Sequence, residues 1–322
     1  MMTLPAARNF ELTMSSGSIQ AEKAKGGSVP QYAIIEAPSI LGLRPAGVEN
    51  LPAALLAVGL ADRLKARRAA RVEAPAYSPQ RDGVTRMLNT GGIAAYSVAL
   101  ADAVGDVLDR GEFPVVLGGD CSILLGNLLA LRRRAGRYGL LFLDGHTDFY
   151  QPEAEPNGEA ASMDLALATG RGPTVVTNLE GLRPLVRDED VVAFAFRDGE
   201  QAAEYGSQPL PRSLRTIDLS EVRRVGAEAA ARDALAHLIR DDGPNGFWVH
   251  LDADVLDDTV MPAVDYRMPG GLSWAELAAV LQETMNCGRA VGLDVTIFNP
   301  HLDPDRWIAR GLAETIGRGL SG

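Results

Sequence analysis

Three short segments of the 322-residue chain carry side chains that could do chemistry together. They are Gly118-Gly119-Asp120-Cys121-Ser122, Asp144-Gly145-His146-Thr147-Asp148 and Asp252-Ala253-Asp254-Val255-Leu256-Asp257. Asp252 and Asp254 stand two apart, so on extended backbone they face one side. Asp144, His146 and Asp148 share that alternation if their strand runs on, and a turn there would also gather them. Brought to one spot, four carboxylates repel too strongly to stay ionised without a compensating charge. Two divalent cations balance Asp144, Asp148, Asp252 and Asp254. Carboxylate oxygens with an imidazole suit Mn²⁺ and similar first-row ions. Two such ions about 3.5 Å apart can share a bridging water and lower its pKa. Taken singly, each piece has a plainer reading: Asp-x-Asp a turn or helix cap, Gly-Gly-Asp a turn, His146 a hydrogen-bonded structural residue. Their joint occurrence points to the metal site.

Each segment follows a continuous apolar run that reads as a buried strand: 113–117, 138–143 and 247–251. Further strands are expected over 32–36, 191–196 and 290–295, and helices over 51–67, 90–110, 121–134, 227–240 and 305–316. Ser273 with Glu276 three residues on has capping-box spacing for another helix reaching about 285. Strands alternating with helices, and strands that are apolar throughout, predict an α/β fold: a three-layer α/β/α arrangement with a mainly parallel sheet. In such sheets ligands bind beyond the carboxyl ends of the strands, where all three segments fall. Residues 150–190 form a long irregular excursion of the kind that often carries function. The chain reads as a flexible, polar arm over 1–30 followed by one catalytic domain over 31–322.

Lys and Arg number 31 against 42 Asp and Glu, a net charge of −11. That balance argues against nucleic acid or an anionic membrane as partner. No run of about 18 apolar residues suggests a membrane span. Two distant cysteines, Cys121 and Cys287, do not form a disulfide framework, and a cytoplasmic location is expected.

With Gly-Gly-Leu-Ser at 270–273 and Asn299-Pro300 in support, the three segments together resemble the ureohydrolase family of arginases, agmatinases and formimidoylglutamases. The resemblance runs from about Tyr32 to the last helix. It implies a binuclear manganese centre and hydrolysis of a C–N bond, not a peptide bond, in a linear amidine or guanidine. It also implies a homo-oligomer, trimer or hexamer. Carried over by motif, one ion is held by position 121, Asp144, Asp148 and Asp252. The other is held by His146, Asp144, Asp252 and Asp254. A metal-bridging hydroxide attacks the amidine carbon, and Asp148 orients it and passes its proton to the leaving amine.

The chain departs from the family pattern in three places, which marks it as an atypical member. The usual histidine of Gly-Gly-Asp-His-Ser is Cys121, whose thiolate would favour Zn²⁺, Fe²⁺ or Co²⁺, or which stays an inert thiol. The glutamate two residues before Asn-Pro is Ile297. The loop histidine of arginases has no counterpart, since none lies between His146 and His237. Glu159 is therefore a candidate catalytic and substrate-binding carboxylate, with Tyr150, Asp198 and Glu200 as further substrate-binding candidates. His301 and Asp303 are placed near the rim, and His250 and His237 are read as structural and solvent-facing. Two other readings remain: a non-catalytic or regulatory paralogue, and a one-metal amide deacetylase of the same fold.

Overall fold

The computed structural model describes residues 30–45 and 47–321. The arm expected over 1–30 lies outside the described residues, Pro30 excepted. One eight-stranded sheet organises the rest, in the order β2-β1-β3-β8-β7-β4-β5-β6. Its strands are β1 (Tyr32–Glu36), β2 (Arg67–Arg71), β3 (Phe113–Leu117), β4 (Tyr138–Leu143), β5 (Val191–Phe194), β6 (Arg215–Ile217), β7 (Gly246–Asp252) and β8 (Ala290–Thr296). Every pairing is parallel.

Alternation along the strands feeds two cores. Ile34, Val115, Leu141, Val249 and Leu293 point to one face; Ile35, Val116, Phe142, Trp248 and Ala193 point to the other. The first face is covered by α1 (Leu51–Ala57), α2 (Leu60–Leu64) and, later in the chain, the helices Leu219–Val225, Ala227–Leu238, Trp274–Asn286 and Trp307–Leu320. The second is covered by α3 (Thr90–Asp109), α4 (Leu124–Arg132) and α5 (Asp164–Ala168). Burying a side chain such as Phe142 or Ile35 contributes about 1.5–3 kcal/mol, so these cores hold the rim rigid. Among the described residues α3 alone is long and apolar enough to cross a membrane by length and composition. Its buried positions, from Ile93 to Val107, pack as a core helix against α4.

Several elements differ from expectation. The helix expected over 51–67 breaks at Gly59, whose φ of 85° is open to glycine, and it ends at Leu64. Arg67 instead opens β2, an exposed Arg-rich edge strand with no apolar run to announce it. β6, at the other edge, has three residues. The segment 121–134 begins as a 3-10 turn, Cys121–Ile123, before α4. The capping box is present: Ser273 and Glu276 satisfy each other's backbone N–H groups. The excursion over 150–190 is compact, carrying α5 and short helical turns.

Candidate metal centre

The three chemistry-bearing segments meet at the carboxyl ends of β3, β4 and β7, which are near-neighbours in the sheet. At the end of β3, Gly119 lies against the Ser39 backbone, and Asp120 accepts from Ser39 Oγ at 2.9 Å. Asp120 also caps the turn that presents Cys121, accepting from Ser122 N at 2.9 Å. At the end of β7, Asp252 Oδ1 accepts from Asp254 N at 2.7 Å, curling the chain so that both carboxylates face inward. After β4, Asp144 Oδ1 accepts from His146 N at 2.6 Å. Asp148 closes that turn with a φ of 41°, a left-handed conformation that Asp tolerates better than most residues.

These turns produce two groups of ligand atoms. His146 Nδ1 lies 2.9 Å from Asp254 Oδ2 and 3.7 Å from Asp144 Oδ1. The donor atoms of Asp144, His146 and Asp254 lie within 4.8 Å of one another. So do those of Cys121, His250 and Asp252. Cys121 Sγ lies 3.0 Å from Asp252 Oδ2, to which its S–H donates, and 3.2 Å from Thr296 Oγ1. Asp144 Oδ2 is buried without a hydrogen-bond partner. A buried carboxylate oxygen is costly in that state, and a cation seated between the groups would relieve it. The donor chemistry fits two divalent ions: oxygens and an imidazole on one side, sulfur, an imidazole and oxygen on the other.

The electrostatics agree. Burial, then the Asp254 charge, raises the Asp144 carboxyl to about 6. Burial, then neighbouring carboxylates, pushes Asp148 and Asp252 well up. Burial raises the Cys121 thiol, reinforced by the surrounding aspartates. Burial works against the charged forms of both His146 and Asp254, yet their mutual attraction prevails: the histidine is raised well above its usual value and Asp254 lowered. Arg197 adds to that lowering. It donates to the carbonyls of Asp254 at 2.9 Å and Met268 at 3.1 Å, clamping the loop after β7.

A pH dependence follows. Carboxyls raised on folding make the metal-free protein hold more protons folded than unfolded between about pH 4 and 6. Their contribution to stability is lost as pH rises through the folded value of about 6. Divalent ions compete with those same protons and bind more tightly at higher pH. The gap in melting temperature between metal-loaded and metal-stripped protein should widen from pH 5 to pH 7.5. A gap that stays constant would contradict this.

A cavity of about 440 Å³ opens onto the centre and is lined by Cys121, His146, Asp148, Asp252 and Asp254. Its wall includes two of the candidate residues, Tyr150 and Asp198, together with Tyr205, Asp265 and Tyr266, which the sequence did not single out. Asp198 is buried; its Oδ2 accepts from Thr147 Oγ1 at 3.0 Å, and its Oδ1 has no partner. Glu155, Pro156 and Asn157 belong to a loop held by Arg81, which donates to the carbonyls of Pro156 at 2.7 Å and Glu155 at 3.1 Å.

Two expected positions are not on the wall. Glu200 is exposed, because the short helix after Asp198, Gly199–Glu204, turns it outward. Glu159 is buried; its Oε2 accepts from the Tyr266 hydroxyl at 2.8 Å and its Oε1 lies 3.7 Å from Arg44 Nε. It therefore stands behind Tyr266 and does not face the ligand groups. Ile297 lines the cavity with a φ of 66°, an outlier for a β-branched residue. Asp303 caps the last helix, accepting from Ala309 N at 2.8 Å, while His301 is exposed. His237 is part-buried, with its Nε2 2.9 Å from the Glu189 carbonyl.

Comparison with known proteins agrees with this geometry. The arginase family model matches residues 36–320. The arginase of Bacillus caldovelox is 29% identical over 277 residues, covering 84% of this chain and 91% of its own. The arginase of Brevibacillus brevis is 30% identical over 213 residues, covering 66% and 70%. Among solved structures, Bacillus caldovelox arginase superposes with a TM-score of 0.81 at 27% identity, covering 91% of this chain and 99% of that one. The formimidoylglutamase of Bacillus subtilis shares the fold alone, with a TM-score of 0.68 at 15% identity, covering 92% and 88%. A family match over nearly the whole chain, on a parallel sheet whose rim gathers aspartates and histidine, shows that the chain belongs to the arginase family of ureohydrolases.

Proposed function

We propose that the protein hydrolyses a C–N bond in a linear amidine or guanidine, using two divalent ions held by Asp144, His146, Asp148, Asp252, Asp254 and the Cys121 pocket. The observation that carries this is the convergence of two ligand groups on one cavity at the sheet's rim. When bound, such ions supply Lewis acidity and lower the pKa of water. Manganese suits the oxygen-rich half; zinc, iron or cobalt suits the half with sulfur.

The protein's own groups do the rest. Asp148 lines the cavity, where its carboxylate can take up a proton released at the ligand groups and hand it to the departing amine. Asp198 Oδ1, buried and unpartnered, accepts an N–H from a cationic substrate. Tyr266, fixed by Glu159, forms wall on the outer side. The described wall carries Asp148, Glu155, Asp198 and Asp265 and no lysine or arginine. Such a wall repels a carboxylate and favours a substrate whose tail is an amine or neutral group.

The test is a panel of ω-guanidino amines against the corresponding α-amino acids, with urea and ammonia release as readout. The amines should show kcat/KM at least about tenfold higher, the factor that 1.4 kcal/mol of differential interaction supplies. Preference for the carboxylate-bearing substrates would contradict the substrate reading. No release from any guanidine or amidine by metal-loaded protein would favour the non-catalytic alternative.

A further inference from the structure

The Cys121 half of the centre holds an imidazole that the strand-end motifs do not include. His250 lies two residues before Asp252 on β7, so both side chains leave the same face of the sheet. It is fully buried and stacked on Phe142, with ring centroids 4.8 Å apart. Its Nδ1 lies 2.6 Å from Asp294 Oδ2, across the register pair of β7 and β8. Asp294 is itself fixed: its Oδ1 accepts from Asn127 Nδ2 at 2.9 Å and from Trp248 Nε1 at 2.5 Å. When the ring is neutral, as a bound cation requires, the Asp294 carboxylate keeps its proton on Nδ1 and leaves the lone pair on Nε2.

Nε2 is buried without a hydrogen-bond partner. It lies with Cys121 Sγ and an Asp252 oxygen in one group of ligand atoms, all within 4.8 Å. Asp164, at the start of α5, is also fully buried, and neither of its oxygens has a hydrogen-bond partner. Its Oδ2 lies 3.8 Å from His250 Nε2. Polar atoms left this way are costly unless something satisfies them. A cation among Nε2, sulfur and carboxylate oxygens would satisfy them together.

We propose that His250 Nε2 is the imidazole ligand of the Cys121 half of the centre, oriented by Asp294 and flanked by Asp164. A carboxylate on the far nitrogen is how proteins set the tautomer and ring orientation of a metal-binding histidine. The inference rests on the metal-centre reading above and adds a ligand to it.

Cobalt is the probe. Metal-stripped full-length protein is titrated with Co²⁺, and X-ray absorption counts imidazoles per ion at saturation. His146 and His250 together predict two ions per chain and an average of one imidazole per ion. In a parallel titration, His250→Gln should keep one ion and bind the second at least about tenfold more weakly. Half an imidazole per ion on the wild type, with two ions bound, overturns the assignment, as does wild-type affinity for both ions in His250→Gln. The imidazole count uses the wild type and stands even if the variant fails to fold. No Co²⁺ on the wild type overturns the metal-centre reading itself, and the ligand assignment with it.

Discussion

Asp252→Asn should remove a divalent ion, lower hydrolysis by more than about 100-fold, and leave the metal-free protein at least as stable as the wild type. The first two effects exceed what losing a residue that merely orients a ligand costs, which is about 10–100-fold. The third follows from geometry. Asp252 is buried beside Asp144 and Asp254, and burial and those charges push its carboxyl well up. The amide keeps an oxygen for Asp254 N, now 2.7 Å from Asp252 Oδ1, so the turn after β7 survives. What disappears is a buried like charge, whose loss favours the metal-free fold. Metal content, initial rates and thermal melts of stripped protein check the three parts together. A variant with wild-type metal content and rate would show that Asp252 holds no ion. A variant that loses activity only because it unfolds would contradict the electrostatic argument.

The second large effect is on folding. Gly119→Ala should destabilise the protein by at least about 3 kcal/mol, the upper end of overpacking penalties. A Cβ at Gly119 would lie 1.7 Å from the Ser39 carbonyl oxygen and 2.8 Å from its carbon. Both are backbone atoms, so no rotamer change can make room. Three strand ends are locked there: Asp120 N donates to Ser39 O at 3.0 Å, and Ile297 N donates to Gly119 O at 2.9 Å. Displacing Gly119 therefore moves the turn that presents Cys121. Gly91→Ala is the control. It lies in α3 with open space around its Cβ position and should be neutral or stabilising by up to about 1 kcal/mol. Denaturant or thermal unfolding of both variants checks the contrast, and equal effects would contradict it.

Much of the frame was legible because the parallel sheet is buried on both faces. β1, β3, β4, β7 and β8 are apolar runs for that reason, and each is flanked by turn residues. The edges were not legible. β2, Arg-Arg-Ala-Ala-Arg, faces solvent and forms ion pairs through Arg68 and Arg71 to Glu36, so its composition resembles a helix end. At the centre, the aspartates announced themselves by following strands, a position that chain order reveals. Glu159 and Glu200 did not yield to the same logic. Both lie in connections whose direction is set by tertiary contacts, here the Tyr266 hydroxyl and a short helix. His250 was hidden inside an apolar run. Its two-residue offset from Asp252 was the available signal, but the unpartnered Nε2 and the facing Asp164 needed coordinates to be seen.

A cation site at the rim of the sheet is the premise on which the activity depends. The most direct measurement is an anomalous-difference map from crystals of the full-length protein soaked in manganese and recorded at the manganese edge. It should show a peak among Asp144, His146 and Asp254, with a second, weaker one about 3.5 Å away toward Cys121 and Asp252. A map with no peak there at saturating manganese, and those carboxylates hydrogen-bonded to one another, would contradict the account.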